Sequence, residues 1–538
     1  MYESYAVGPF SGGLNLRDFP DQIEPTQAYD LSNVTFTERG GVKSRPGYEN
    51  VLTGLAARPD NFEPFNTGSA WQLAISAGSR IEVRNTAGAI VGTPLTSGVN
   101  AYPNYFTRFG GGTAALATPH LYASNGTDQV RKWTGAGTWS TPTWSLTNSA
   151  PNPTGMFGAV TPWDSRLVLA RFPNTAGGDN PSSVRFSATA DPESWDGYEY
   201  VDLTPGDGEK IMGMAAYGNY VVVFKESKFF VFYGTTFSAS NDLGVPDFEF
   251  RTVDTGVGLT AKQGLCVAPD GIYFLNNKGL YRTDGGSPVL VSSLIEPLFT
   301  GETRSGYGGS TINFTAIDAA RLTFHKQQVY VAVPTGTSTV NNALMVFDPR
   351  YGWWTVWAVG AGALASFEWS VSTPKLTFGL ASGSVNVCRF DESLTTDAGS
   401  GFQARIKMGF TDLGVPIAKT VRESQVWGSG AVRFAVARDL RGSRSTSALS
   451  FAAGVDKWGD GSPGQSDVWA DGTDATDTWS AGVTADFALA RQAVRGQIHG
   501  IEVYSADVVT PEAWSVNRVI FRVREQRVAT VTKVDKES

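Results

Sequence analysis

The chain has 538 residues and a net charge of -8, with 41% hydrophobic, 12% aromatic and 17% charged residues. That length can bury a large core. Evenly spread apolar residues exclude bulk disorder, two cysteines exclude a disulfide scaffold, and 61 glycines with 27 prolines exclude a long coiled coil. The acidic balance argues against a surface that grips nucleic acid. It leaves room for a protein that surrounds DNA without holding it, because an acidic wall recruits no phosphates.

Residues 1–5 have no basic start and no apolar core, so no secretory leader is expected. No run approaches the ~18 apolar residues of a membrane-crossing helix. Residues 1–65 read as an irregular segment with a hairpin, including a short helix near Thr26 to Asn33. Gly40-Gly41 offers a hairpin turn, and Pro46-Gly47 a second turn. Arg45 and Tyr48 are expected to hold that hairpin in structural roles.

Residues 66–391 change character, with short apolar runs alternating with turns. Expected hairpins join Trp71–Ala77 to Arg80–Asn85, His120–Ala123 to Gln129–Trp133, and Arg166–Phe172 to Val184–Ala188. Tyr220–Lys225 and Lys228–Tyr233 flank Glu226-Ser227, the clearest hairpin signal in the chain. A meander follows over residues 264–283, then runs near 321–333, 343–357 and 375–390. The groups recur at roughly 35–50 residues, close to the ~40–45 of a propeller blade. An all-β chain carrying a β-propeller of six or seven blades, some incomplete, is the prediction, with a series of β-sandwiches as the rival. Residues 392–401 read as a linker. Residues 402–538 read as a C-terminal β-sandwich or jelly roll, with strands near 402–410, 420–427, 432–438, 497–504 and 517–523. In the last of these, alternation sets Arg522 and Arg524 on the face away from Phe521.

Signals for chemistry are sparse. His120, His325 and His499 are far apart in sequence and lack metal-ligand spacing. Cys266 and Cys388 lie in strand-like runs and read as buried thiols, with a disulfide or ligand pair as the alternative. Gly256-Val257-Gly258-Leu259-Thr260-Ala261 and Gly360-Ala361-Gly362-Ala363-Leu364-Ala365 fit a loose dinucleotide fingerprint, but neither opens a helix within a βαβ unit. Ser240-Asn241-Asp242-Leu243-Gly244 matches half of a sialidase-type Asp box. Between Asp456 and Trp479, six aspartates sit among glycines and serines, a composition that suits a solvated acidic loop or a calcium site. Trp458, Trp469 and Trp479 in that stretch are candidate interface residues, or anchors of the loop onto a core. No catalytic residue, cofactor or resident metal is assigned.

Two segments carry a resemblance. Gly12-Gly13-Leu14-Asn15-Leu16-Arg17-Asp18, Asn33-Val34, Glu38-Arg39-Gly40 and Lys43-Ser44-Arg45-Pro46-Gly47-Tyr48 resemble the start of many tailed-phage structural proteins. Lys407-Met408-Gly409-Phe410-Thr411-Asp412-Leu413-Gly414-Val415-Pro416, with Lys419 and Trp427, is similar to a strand-turn motif of the same proteins. The family most resembled is the tail nozzle, or tail tubular protein B, of short-tailed phages. The resemblance implies a non-enzymatic virion protein made in the host cytoplasm, forming a homohexameric ring at the tail tip. It implies contact with an adaptor or portal-proximal ring and with tail fibres or spikes, and passage of double-stranded DNA without sequence recognition. A receptor-binding adhesin of a long-tailed phage and a carbohydrate-active propeller enzyme are the competing readings. Many nozzle proteins are longer than this chain.

Overall fold

The computed structural model describes residues 3–99, 103–110, 119–126, 128–148, 160–163, 165–170, 180–234, 248–302, 310–369, 373–414, 416–441, 446–451, 487–508 and 513–525. It divides the chain into two compact units, one of residues 46–399 and one of residues 1–45 with 400–538. These limits differ from the sequence-based 1–65, 66–391, 392–401 and 402–538. The expected N-terminal segment is split between the units. The expected linker is ordered, since Gly47 and Tyr48 N–H groups donate to the carbonyls of Leu394 and Thr396.

Residues 46–399 form a seven-bladed β-propeller. Blade 1 comprises Pro59–Asn66, Trp71–Ala77 and Arg80–Asn85. Blade 2 comprises Tyr105–Phe109, His120–Ser124 and Arg131–Trp133. Blade 3 runs from Val160–Trp163 through Arg166–Ala170 and Ser183–Ala188 to Asp191–Asp202, with Ser145–Thr147 added in parallel. Blade 4 is Gly213–Tyr217, Tyr220–Phe224, Lys228–Gly234 and Phe248–Asp254. Blade 5 is Leu265–Ala268, Gly271–Asn276, Gly279–Thr283 and Val289–Leu290. Blade 6 is Arg321–His325, Gln328–Val333, Ala343–Asp348 and Trp353–Trp357. Blade 7 is Ala361–Phe367, Lys375–Leu380 and Val387–Asp391, completed by Gly47–Leu52 from the other end of the unit.

Alternation explains why the blade strands read as unbroken apolar runs. In blade 4, Val221, Val223, Phe230 and Phe232 pack toward blade 3, against Val184 and Phe186. Val222, Phe224, Phe229 and Val231 pack toward blade 5, against Ile272 and Phe274. Both faces of the strand are buried, so every position is apolar. Each such side chain contributes about 1.5–3 kcal/mol before conformational entropy is counted. The ring closes the same way: Ala363, Ala365 and Phe367 of blade 7 share a core with Phe62, Leu73 and Ile75 of blade 1. The glycines of the second dinucleotide-like run serve this closure. A Cβ on Gly362 would lie 2.9 Å from the Pro59 carbonyl oxygen. In the first run, a Cβ on Gly258 would lie 2.2 Å from the carbonyl oxygen of Lys225.

Pro46-Gly47 is not a turn. Gly47 begins the strand that closes blade 7, and its φ is not positive. It is glycine because a Cβ would stand 2.2 Å from the Thr396 carbonyl oxygen. Gly47→Ala is expected to strain this closure by about 1–3 kcal/mol and to speed amide exchange of Val387–Asp391. A wild-type melting curve with unchanged protection of that strand would refute the assignment.

Residues 1–45 and 400–538 form two antiparallel sheets that share one twenty-residue strand, Lys419–Arg438. Its first half pairs with Phe487–Gly496 and Ser515–Glu525, its second half with Thr446–Phe451 and His499–Ser505. The sequence reading took this strand as two. Val519, Phe521 and Val523 are buried while Arg522 and Arg524 are exposed, as the alternation predicts. The helix expected near Thr26 to Asn33 is a strand, Ala28–Ser32, paired with Arg405–Met408. Partner-strand hydrogen bonds override local propensity there.

Candidate functional site

In the second unit, residues between the pieces of the first resembling segment pair with the start of the other. Leu31 pairs with Ile406 and Asp30 with Lys407. Asp30 is buried and bridges Arg405 at 3.2 Å and Lys407 at 3.5 Å. Phe410 stacks on Tyr29 with ring centroids 5.9 Å apart. The amides of Gly409 and Phe410 donate to the carbonyls of Gln27 and Pro20.

Each residue at this junction has a physical reason. Asn33 holds φ +56, a conformation that asparagine tolerates. Its amide nitrogen donates to the Gln403 carbonyl at 2.9 Å, and its oxygen accepts from Arg45 Nε at 2.9 Å. Arg45 is 1% exposed, with its guanidinium 3.8 Å from the centre of the Phe402 ring. Gly40 turns the hairpin between Val34–Phe36 and Val42–Ser44 at φ +77. A Cβ on Gly41 would meet Asn517 Oδ1 at 2.2 Å. In the other segment, Leu413 and Gly414 take positive φ, and the Gly414 amide donates to Asp412 Oδ1 at 2.9 Å. Lys419 is fully buried and donates from Nζ to the Asp412 carbonyl at 2.5 Å. The expected structural set is thereby divided. Gly40, Gly41 and Arg45 belong to this junction. Pro46 and Gly47 lead into the propeller. Tyr48 packs edge-on against Phe378 and Phe390 of blade 7.

Trp458, Trp469, Trp479, the aspartate-rich stretch and the Asp-box half-match around Asp242 lie outside the described residues.

The propeller axis holds a cavity of about 490 Å³, walled by the first strands of the blades. Among the described lining residues, Arg108, Lys262 and Arg321 are basic and Glu63 alone is acidic. Among these lining residues basic groups therefore outnumber acidic ones. Glu63, with a side chain 24% exposed, pairs with Arg108 at 3.2 Å. Burial pushes its carboxyl up to about 7, against the pull of Arg108. Cys266 is a free, buried thiol on the same wall, and desolvation, with help from Asp270, raises it further from ionising. Such a thiol is a poor nucleophile. Cys388 is also free and buried, and donates to Asn50 Oδ1 at 3.2 Å, so the two cysteines form no bridge.

Ser366, also on the wall, lies 2.8 Å from His325 Nδ1. Sequence reasoning missed this contact, because residues 41 apart come together only through adjacent inner strands. Burial, helped by the charges of Lys326 and Lys375 and opposed by Glu392, lowers His325 to about 4. That value makes it a weak general base at neutral pH. His120 and His499 lie in blade 2 and in the second unit. Among the described residues no cluster of three His, Cys, Asp or Glu could hold a metal ion. Among them, too, no helix is long and apolar enough to cross a membrane.

The elevated Glu63 carboxyl makes a signed prediction. The folded chain holds a proton that the unfolded chain releases from about 4.5 upward. Stability is expected to fall as pH rises from about 4.5 to about 7, by the share due to this group. Glu63→Gln should remove that share. Melting temperatures across pH 4.5–8 that keep the wild-type slope in the variant would refute it.

No family model matches the chain, and no curated protein matches it. Solved structures that resemble it include BBS1N in complex with ARL6DN, at 12% identity and a TM-score of 0.41 over 65% of this chain and 98% of that one. A streptogramin B lyase matches at 8% identity and a TM-score of 0.38, over 64% of this chain and 98% of that one. The Pan2 WD40 domain of Neurospora crassa matches at 8% identity and a TM-score of 0.26, over 68% and 91%. The seven-blade assignment rests on the chain's own strand pairing.

Proposed function

We propose that this chain is a structural subunit of a tailed-phage tail, of the nozzle type. Copies close a ring, a homohexamer, through a head-to-tail interface. The ring surrounds a passage for double-stranded DNA, docks on an adaptor or portal-proximal ring, and carries fibres or spikes. The observation that supports this most is the junction of the two resembling segments. Although they lie hundreds of residues apart, they border one strand pair, Ala28–Ser32 with Arg405–Met408, and Asn33 and Arg45 of the first reach Gln403 and Phe402 beside the second. Residues that carry a family likeness through packing suit a protein whose task is to hold shape. The role is passive: it needs neither a catalytic step nor a cofactor, and the net charge of -8 disfavours retention of DNA.

The test is electron microscopy of intact particles labelled with gold-conjugated antibody against the chain. Label at one fixed axial position on the tail is the expected result. Label on peripheral fibres would replace the reading with a receptor-binding adhesin. Label only on free protein would remove the virion assignment.

A further inference from the structure

One sheet in the unit of residues 1–45 and 400–538 gathers positive charge on its exposed face. In Ser515–Glu525, Val519, Phe521 and Val523 are buried, so Arg518, Arg522 and Arg524 share the opposite face. Across the sheet, Arg522 and Arg491 stand in register on either side of Glu423, and Arg524 and Arg495 on either side of Thr420. Residues in register share a face, so five exposed arginines lie together. Glu423 is the carboxylate among them, and it pairs with Arg522 at 3.0 Å. The side chains of Arg491, Arg495, Arg518 and Arg524 make no hydrogen bond or ion pair among the described residues. Leu489, Gln425 and Ile520, which fill the row between Arg518 and Arg522, are uncharged.

The net charge of -8 averages over the chain and hides this face. Like charges on neighbouring strands repel unless a counter-charge covers them. The arginines form two lines, on Phe487–Gly496 and Ser515–Glu525, with Lys419–Arg438 between them. At the usual strand spacing the lines run about 10 Å apart, and Arg518 to Arg524 spans about 20 Å. Duplex DNA carries one charge per about 1.7 Å of its axis, so a stretch of that length turns about six phosphates to one side. The guanidinium fork accepts phosphate oxygens in pairs. Protein surfaces intersperse charges of both signs, so an acidic protein matches an unbroken field of arginines less well than DNA does.

We propose that this arginine face is a contact surface for the phosphate backbone of double-stranded DNA. It reads no sequence, because the contacts are to phosphates and not to base edges. The acidic balance of the whole chain keeps the contact weak and releasable by salt. Charge and strand register carry this inference without the tail assignment, and failure of DNA to bind would leave the gold-label result standing.

Fluorescence anisotropy of the full chain with two labelled duplexes of unrelated sequence tests it, across a series of sodium chloride concentrations. Both duplexes should bind equally, and four phosphate contacts predict about a hundredfold loss of affinity between about 50 and 200 mM salt. Arg491→Gln, Arg518→Gln and Arg524→Gln made together forfeit no bond among the described residues, so the variant should fold. It should bind at least about tenfold more weakly, with a salt slope shallower by about one for each arginine removed. Neutralising Lys210, Lys278 and Lys326 of the propeller unit changes the net charge equally and should leave the slope unchanged. No binding at the lowest salt, or the same loss in both triple variants, would overturn the proposal. Poly-L-glutamate bound as tightly as duplex DNA at equal charge concentration would replace DNA with an acidic protein partner.

Discussion

Arg45→Met is expected to destabilise the unit of residues 1–45 and 400–538 by about 3 kcal/mol. Losing the guanidinium leaves Asn33 Oδ1 without the Nε donor it accepts from at 2.9 Å, at a cost of about 1–3 kcal/mol. It also removes the cation from the Phe402 face at 3.8 Å, a desolvated contact that contributes about 1–2 kcal/mol. Methionine keeps the apolar stem, so the loss reports the head group and not a void. Arg45→Lys should restore little, because an ammonium has neither the planar face nor the fixed donor geometry. Hydrogen exchange locates the effect. Protection should fall in Ala28–Ser32 and Arg405–Met408 while the blades keep theirs. Unchanged protection of these two strands would show that Arg45 is a passenger at the junction.

The propeller was legible where information is local. The hairpin of Tyr220–Phe224 and Lys228–Gly234 could be read because two apolar runs flank a short polar turn at Glu226-Ser227. The seventh blade was not legible in full. Its outer strand, Gly47–Leu52, pairs with Val387–Asp391 across more than 330 residues, and nothing near either strand marks the other. The strand Ala28–Ser32 failed for the same reason, since its partner is remote and its composition permits a turn of helix. The cavity groups were invisible for a related one. Arg321 and Gln263 belong to no motif. The ring brings their backbones together, with the Leu322 amide donating to the Gln263 carbonyl. The resembling segments, by contrast, could be recognised as strings before their partnership could be known.

The larger predicted effect belongs to Lys225, which sits at the turn of blade 4 with no exposed surface. Its Nζ donates to both oxygens of Asp207 at 2.9 Å and to Ser182 Oγ at 3.0 Å. Lys228 adds a second cation on Asp207 at 3.1 Å. Ser182 and Asp207 flank the outer part of blade 3, so one ammonium ties consecutive blades. Asp207→Asn leaves that ammonium buried without its counter-ion, and is expected to cost about 3–5 kcal/mol. Although partial burial works against the charge of Asp207, bonds from Lys225, Thr204 and Lys228 and from the Glu209 amide hold its carboxyl well below the usual range. A depressed folded value means that the stabilisation is complete above the unfolded value of about 3.9 and drains away as pH falls below it. Urea midpoints for the wild type should therefore drop between about pH 4 and pH 2, and the Asp207→Asn variant should show a shallower decline. The decisive comparison is the pair of Asp207→Asn and Lys225→Met made together. Removing both charges should cost clearly less than the sum of the two single losses, because Asp207→Asn strands the buried Lys225 ammonium and the second substitution removes that ion, while Lys228 still faces Asp207 in the Lys225→Met variant. Strictly additive losses would mean that Lys225 holds blades 3 and 4 together by packing alone.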